Sequence, residues 1–344
     1  MYWFTVFSLT LLSVSPMHLP RPSPRALSPE ERASFHTTLL TDGYVRLRNI
    51  LPSSEATAWG EKVLKASHLQ TAGCDISSAS VIQNCQGFRG PAFTRGRQLE
   101  VADPQLSALI HSPGLARIAA QAMNVSRVRL YQATSFLKSP GDAPSAWHQD
   151  AAACPLATDK LVTLWLALDD VPVEAAPLIF ARGSHLPGVP IPSLRDLTPA
   201  QRLERMGKWT SANVSAAGLK ISKPLHLSPG DATLHLGWTL HASPPNTHAS
   251  LVRKALAITY FADGSKVNPN VLKLGGEAGV GKGVFFTGED GKALEVLLLA
   301  DDFETWKPWL AAKILIPGQP VRDNLLTPLL YDALWDTTRD KIPL

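Results

Sequence analysis

The sequence predicts a mainly β domain with flanking helices, a sandwich or jelly roll, and three observations carry that expectation. From Arg127 onward, short runs rich in β-branched and aromatic residues alternate with Gly/Pro turns. Helical periodicity is concentrated before them, and no linker divides the middle of the chain. Apolar residues make up 45% of the 344 and charged residues 18%, the balance of a chain that buries a core.

The first helix opens at Ser28-Pro29-Glu30-Glu31, where Ser28 caps, Pro29 suits the first helical position and Glu31 completes a capping box; Gly43 ends it. Tyr44 to Arg48 reads as a strand, and Ser53 to Ala66 as a second helix. Leu106, Leu109 and Ile110, then Leu115, Ile118 and Ala119 after Pro113-Gly114, recur at helical spacing and predict helices that buttress a sheet. The expected strands are Val128–Leu137, Leu161–Leu168, Leu178–Ala181, Leu225–Leu227, Ala232–Leu236, Thr239–Ser243 and Ala255–Phe261. Pro187 to Gly218 reads as an insertion over the barrel mouth. Three segments are expected: an apolar leader or disordered tail over residues 1–27, a β domain over 28–288, and a partly helical extension over 289–344 that packs on it.

The chemistry concentrates at His148-Gln149-Asp150. Two residues apart on an extended strand, an imidazole and a carboxylate point to one face and can grip one metal ion. Among ten histidines a single His-x-Asp arises easily by chance, so its weight comes from His241, far along the chain, and Arg253 beyond it. Two histidines and one carboxylate form a facial triad that leaves positions open on a non-haem Fe(II) for a cosubstrate and O₂. Arg253 stands where the far carboxylate of 2-oxoglutarate would meet a guanidinium fork, and the same strand face continues with the small residues Ala255 and Ala257. His235 is set aside as a ligand because its strand ends before Gly237-Trp238. Trp165, opposite a face of Val162, Leu164, Leu166 and Leu168, suits either a core or the lining of a cosubstrate pocket.

Several ordered motifs resemble the phytanoyl-CoA dioxygenase family from about Leu39 to Ala262. They are Phe136-Leu-Lys138-Ser-Pro140, Trp147-His148-Gln149-Asp150, Thr163-Leu-Trp165-Leu-Ala-Leu-Asp169-Asp170, Gly183-Ser184-His185, Gly230-Asp231 and His241-Ala-Ser243-Pro-Pro-Asn246. The resemblance implies a double-stranded β-helix (a cupin-like jelly roll) using Fe(II), 2-oxoglutarate and O₂. It implies that His148, Asp150 and His241 bind iron and act in catalysis, and that Arg253, Trp165 and Ser243 border 2-oxoglutarate. Thr134 and Lys138 match a segment running beside the cosubstrate. Where such proteins usually read Asn-Gly-Pro-Leu this chain has Ala175-Ala176-Pro177-Leu178, and Arg182 replaces a proline. A relative turned halogenase is expected to lack the carboxylate; Asp150 is retained, which favours hydroxylation.

A net charge of +4 without a basic run interleaved with aromatics argues against nucleic acid and suits a small-molecule substrate. Cys74, Cys85 and Cys154 cannot pair completely, and their spacing argues against structural zinc. Tyr2 to Val14 is apolar enough for a secretory or organellar leader but too short to span a bilayer comfortably, so no stable membrane span is expected. The competing function from another class is a jelly-roll binding or structural protein with a relic metal site.

Overall fold

The computed structural model describes residues 19, 21–72, 87–97, 99–154, 156–189, 209–267, 284–287, 293–296, 320–321 and 329–332. Its helices are α1 (Pro29–Asp42), α2 (Ser53–Thr71), α3 (Leu99–Ala102), α4 (Pro104–Ile110), α5 (Pro113–Met123), α6 (Asp150–Ala153) and α7 (Ser211–Ala216). The strands are β1 (Tyr44–Leu47), β2 (Gly87–Arg89), β3 (Thr94–Arg97), β4 (Arg127–Lys138), β5 (Ser145–His148), β6 (Leu156–Ala157), β7 (Leu161–Ala167), β8 (Ile179–Phe180), β9 (Ala232–Leu236), β10 (His241–Ser243), β11 (Arg253–Ala262), β12 (Lys266–Val267), β13 (Val284–Thr287), β14 (Ala293–Val296) and β15 (Leu329–Asp332).

The major sheet runs β1-β9-β7-β11-β4-β3-β2, with β15 added to β4, and the minor sheet runs β5-β10-β8. Every pairing within each sheet is antiparallel, as a jelly roll requires. Alternation along β7 divides the two faces of the major sheet. Val162, Leu164, Leu166 and Leu168 join the helix-side core with Trp59 and Ile118, whereas Trp165 and Ala167 turn inward to meet Phe180 from the minor sheet.

Most predicted elements appear with small shifts. The Ser28 hydroxyl accepts from the Glu31 amide at 3.1 Å while the Glu31 carboxylate accepts from the Ser28 amide at 2.8 Å, and Gly43 closes α1 in the left-handed region at φ 85°. Helix α2 continues past Ala66 to Thr71. Leu225–Leu227 does not form a strand: it contributes one bridge, Val171 to Leu227, because too few residues pair to propagate a ladder. Most of the insertion, residues 190–208, lies outside the described residues. Trp209 and Val214 pack behind the minor sheet on Trp147, whose indole Nε1 donates to Ser211 Oγ at 3.1 Å.

Packing also reaches N-terminal to residue 28, where Leu27 is buried and the Arg25 amide donates to the Ile50 carbonyl at 3.0 Å. Of the described segments of 289–344, β14 and β15 are strands, Pro320 makes an isolated bridge to Lys266, and β15 lies on β4. Cys154 is buried; Cys74, Cys85 and the apolar stretch from Tyr2 lie outside the described residues. Among the described residues no helix is long and apolar enough to cross a membrane.

One turn ties the helical layer to the sheet. Gly230 has φ +88°, and its carbonyl accepts from the amides of Ile50 and Leu51. The next carboxylate, Asp231, takes the Asn49 amide at 2.9 Å and Arg46 Nη2 at 2.6 Å. A Cβ at Gly230 would sit 2.1 Å from the Leu51 carbonyl oxygen. Gly230→Ala is therefore expected to cost on the order of 3 kcal/mol, through both the disfavoured backbone and the displaced β-turn, read as a fall of roughly 10 °C in melting temperature.

Candidate metal centre and cosubstrate pocket

The site is built by one cross-strand pair. In the minor sheet β10 sets His241 directly opposite His148 on β5, with imidazole centroids 4.2 Å apart. Asp150 departs from the expectation of a continuous strand, because β5 ends at His148 and Asp150 begins α6. Gln149 between them stays extended at φ −124°, ψ 121°, so the two side chains still converge. The turn is pinned by Gln149 Nε2 donating to the Trp238 carbonyl at 2.6 Å and the Ala151 amide to Gly237 at 2.9 Å.

His148 Nε2 lies 3.6 Å and His241 Nε2 3.7 Å from Asp150 Oδ1, and one ligand atom from each of the three falls within 4.8 Å of the others. Each imidazole is oriented from behind. His148 Nδ1 donates to the Ala146 carbonyl at 2.9 Å, and His241 Nδ1 to the Thr239 carbonyl at 3.0 Å. That tautomer leaves both Nε2 lone pairs facing Asp150, as metal ligation demands. Burial lowers both imidazole pKa values, and mutual repulsion among His148, His235 and His241 adds to the effect at His241. Burial would raise the Asp150 carboxyl, yet His241 and His235 hold it well below the ordinary carboxylate range. Two neutral imidazoles and an ionised carboxylate are the donor set of a facial triad, so these residues fit a divalent iron.

Beside the triad, Arg253 begins β11 opposite Lys138, the last residue of β4. Its guanidinium is buried, lies 5.1 Å over the Trp165 ring, and donates through Nη1 to the Ala176 carbonyl at 2.5 Å and Ser243 Oγ at 3.2 Å. Burial brings Arg253 to about 9, so it stays cationic at neutral pH, while burial and then the Arg253 charge push Lys138 to about 6. Lys138 Nζ donates to the Ala143 carbonyl at 2.5 Å. Thr134 shares the face, one strand over from Ala257. Arg253 Nε and Thr134 Oγ1 are buried without a hydrogen-bond partner, an orphaned donor and hydroxyl beside a cation. A carboxylate would satisfy the Arg253 donor, so the site fits an anionic cosubstrate such as 2-oxoglutarate.

The fold thus brings His148, Asp150 and His241 together in one group and Arg253, Trp165, Ser243, Thr134 and Lys138 in another beside it. Trp165 packs with Ala255 and Ala257, and the Arg253 guanidinium lies over its ring. Other interior residues escaped the sequence reading. Thr163 Oγ1 donates to Asp150 Oδ2 at 2.6 Å, and His235 Nε2 lies 3.0 Å from the same oxygen, so His235 is neither a ligand nor a bystander. Arg95 on β3 packs over Phe136 and is near enough to lower His148. The signal for His235 was the alternation of Ala232-Thr-Leu-His-Leu, which aims Thr233 and His235 inward together. His185 holds the Leu40 carbonyl and His111 contacts Ser107, both away from the triad.

Comparison with known proteins agrees with this geometry. The family described as phytanoyl-CoA dioxygenase (PhyH) matches residues 39–255, over half the chain. The chain belongs to the phytanoyl-CoA dioxygenase family. A probable alpha-ketoglutarate-dependent hypophosphite dioxygenase from Stutzerimonas stutzeri is 31% identical over 137 residues, which cover 39% of this chain and 46% of that relative; the match therefore spans under half of the relative's length. In fold the chain is similar to the non-heme alpha ketoglutarate dependent epimerase SnoN and carbocyclase SnoK from nogalamycin biosynthesis. Both are 21% identical, at TM-scores of 0.59 and 0.58, with 88% of this chain covered and 99% and 96% of theirs.

Ala176, where the family resemblance implies a glycine, adopts φ +61°, a left-handed conformation costing an L residue about 1–2 kcal/mol. Its carbonyl nonetheless accepts from both Arg253 Nη1 and Ser243 Oγ. Ala176→Gly should relieve that strain, less glycine's own entropic cost of roughly 0.5–1 kcal/mol. Expected is a melting temperature raised by about 1–3 °C with cosubstrate affinity unchanged, measured by calorimetry and 2-oxoglutarate titration.

Proposed function

We propose that this protein is an Fe(II)- and 2-oxoglutarate-dependent dioxygenase that hydroxylates a small organic or lipid-like molecule. The observation that carries the reading is the triad with both Nδ1 atoms tied to backbone carbonyls, next to a buried, incompletely satisfied Arg253. In this reading His148, Asp150 and His241 hold the iron. Arg253 receives the far carboxylate of 2-oxoglutarate, with Ser243 and Thr134 beside it, Lys138 adding charge and Trp165 beneath.

When bound, Fe(II), 2-oxoglutarate and O₂ supply the oxidation, in which the keto acid leaves as succinate and CO₂ while a substrate C–H becomes C–OH. The chain's own part is positioning and charge. Arg253 is fixed before any ligand arrives by the Ala176 carbonyl and Ser243 Oγ, so little side-chain freedom remains to be lost on binding. Ala255 and Ala257 keep the floor of the pocket low. Phe180, stacked on Tyr44 at 4.1 Å between centroids and 6.1 Å from His241, closes one flank with apolar surface and limits water at the ligands.

Anaerobic addition of Fe(II) and then 2-oxoglutarate should give a weak visible charge-transfer band, and admitting O₂ should release succinate slowly even without the primary substrate. Asp150→Ala should lose the band and bound iron together. Folded, iron-supplied wild-type protein that gives neither band nor succinate would instead be a binding protein with a relic site.

Lys138 gives a second test. Its pKa of about 6 leaves it mostly neutral at pH 8, and an incoming dianion favours its protonated form. Binding of 2-oxoglutarate at pH 8 should therefore take up close to one proton, and affinity should weaken as pH rises above about 6. Calorimetry in buffers of different ionisation enthalpy reads the uptake; Lys138→Met should abolish it. An unchanged uptake in that variant would remove Lys138 from the pocket.

A further inference from the structure

Asp150 faces the two imidazoles through one oxygen because the other is already engaged. We propose that Thr163, Thr259 and His235 are positioning residues that make Asp150 a one-oxygen ligand, an inference that rests on the oxygenase reading of this centre.

Thr163 carries a single O–H. Since it donates to Asp150 Oδ2 at 2.6 Å, its 3.0 Å contact with Thr259 must be one in which Thr259 donates and Thr163 accepts. The direction of the chain is thus fixed, from Thr259 on β11 through Thr163 on β7 to Asp150 at the start of α6. Both hydroxyls are buried, with residues 5% and 4% exposed, where such a chain polarises its members and gains strength. The second donor is His235 on β9, whose Nε2 lies 3.0 Å from the same oxygen. Its ring is 1% exposed, packs 4.3 Å from His241 and 5.4 Å from Phe180 between centroids, and has no partner at Nδ1. The Asp150 bond and the neighbouring rings therefore fix its orientation.

Two donors fill the lone pairs of Oδ2. Only Oδ1 remains directed between His148 Nε2 and His241 Nε2. A carboxylate so held offers a cation one atom; released, it can offer two and occupy a position that the paired donor atoms of 2-oxoglutarate would use. Three strands of the major sheet thereby set the denticity of a ligand carried beside the minor sheet.

Thr163→Val keeps the shape and removes the donor. Anaerobic Fe(II) titration should show affinity about 10- to 100-fold weaker, and the visible spectrum of the Co(II) form should change. Thr163→Ser should restore both. Thr259→Val, one bond further out, should lose about threefold, and His235→Gln, which keeps a donor, should stay within about threefold of wild type, whereas His235→Phe should follow Thr163→Val. The melting temperature of the metal-free protein serves as the structural control. Variants that melt earlier but keep wild-type Fe(II) affinity and Co(II) spectrum would overturn the proposal, because the residues would then serve the fold alone. Loss of the iron stoichiometry in His235→Gln would also overturn it and make His235 a ligand. If wild-type protein binds no Fe(II), the oxygenase reading falls and this inference with it; equal binding by wild type and Thr163→Val removes only the inference.

Discussion

The register between β10 and β5 is the constraint on which the site depends. A slip of one residue would turn His241 or His148 outward and bring Ala242 or Trp147 in, because side chains alternate with period two. That register has no long ladder to defend it, since the minor sheet's strands are two to four residues long. It is secured from both sides. Inside, His241 and His148 pack ring on ring; outside, Trp147 and Ala242 are buried with Val214 and Leu240. Gln149 and Ala151 clamp the exit of β5 onto the loop that leads into β10.

The major sheet supplies what the minor sheet lacks. Strands β4, β7 and β11 form long ladders, broken only by a register shift between Thr259 and Tyr260 where β11 pairs β4, with buried helix-side faces, so their inner faces can carry unfavourable groups. Arg253, Lys138, Thr134 and Thr163 are such groups, each buried beside a barrel interior. Burial, and then the Arg253 cation opposite, holds the Lys138 amine largely neutral, and a dianion placed between the two would favour its protonated form.

Much of this was legible in the sequence, for reasons that differ by element. The capping box at Ser28, the long alternation in β7 and β11, and the His148, Asp150 and His241 set each carry a local chemical signature. The family motifs extend that reading to Arg253, Ser243 and Trp165. What was hidden depends on three-dimensional neighbours. Leu225–Leu227 has strand-like composition but no partner long enough to pair with. Asp150 reads as strand by spacing although its backbone has already turned. His235 was set aside by loop position, yet alternation along β9 aims it at Asp150. Trp209 and Val214 gave no sign that they would cover the back of Trp147 rather than the mouth.

Both histidines of the candidate centre are oriented by a carbonyl two residues earlier in the chain, Ala146 within β5 for one and Thr239, just before β10, for the other. A main-chain acceptor has no side chain to lose. Point substitution at Ala146 or Thr239 can alter bulk or polarity, but the oxygen that fixes each imidazole tautomer persists in every amino acid that keeps the strand extended. The metal-facing half of the centre is thus buffered against mutational drift, whereas Arg253, Phe180 and the pocket walls depend on side-chain identity. Such a division lets a lineage explore new substrates around the barrel while the inherited imidazole geometry is copied by the peptide backbone itself.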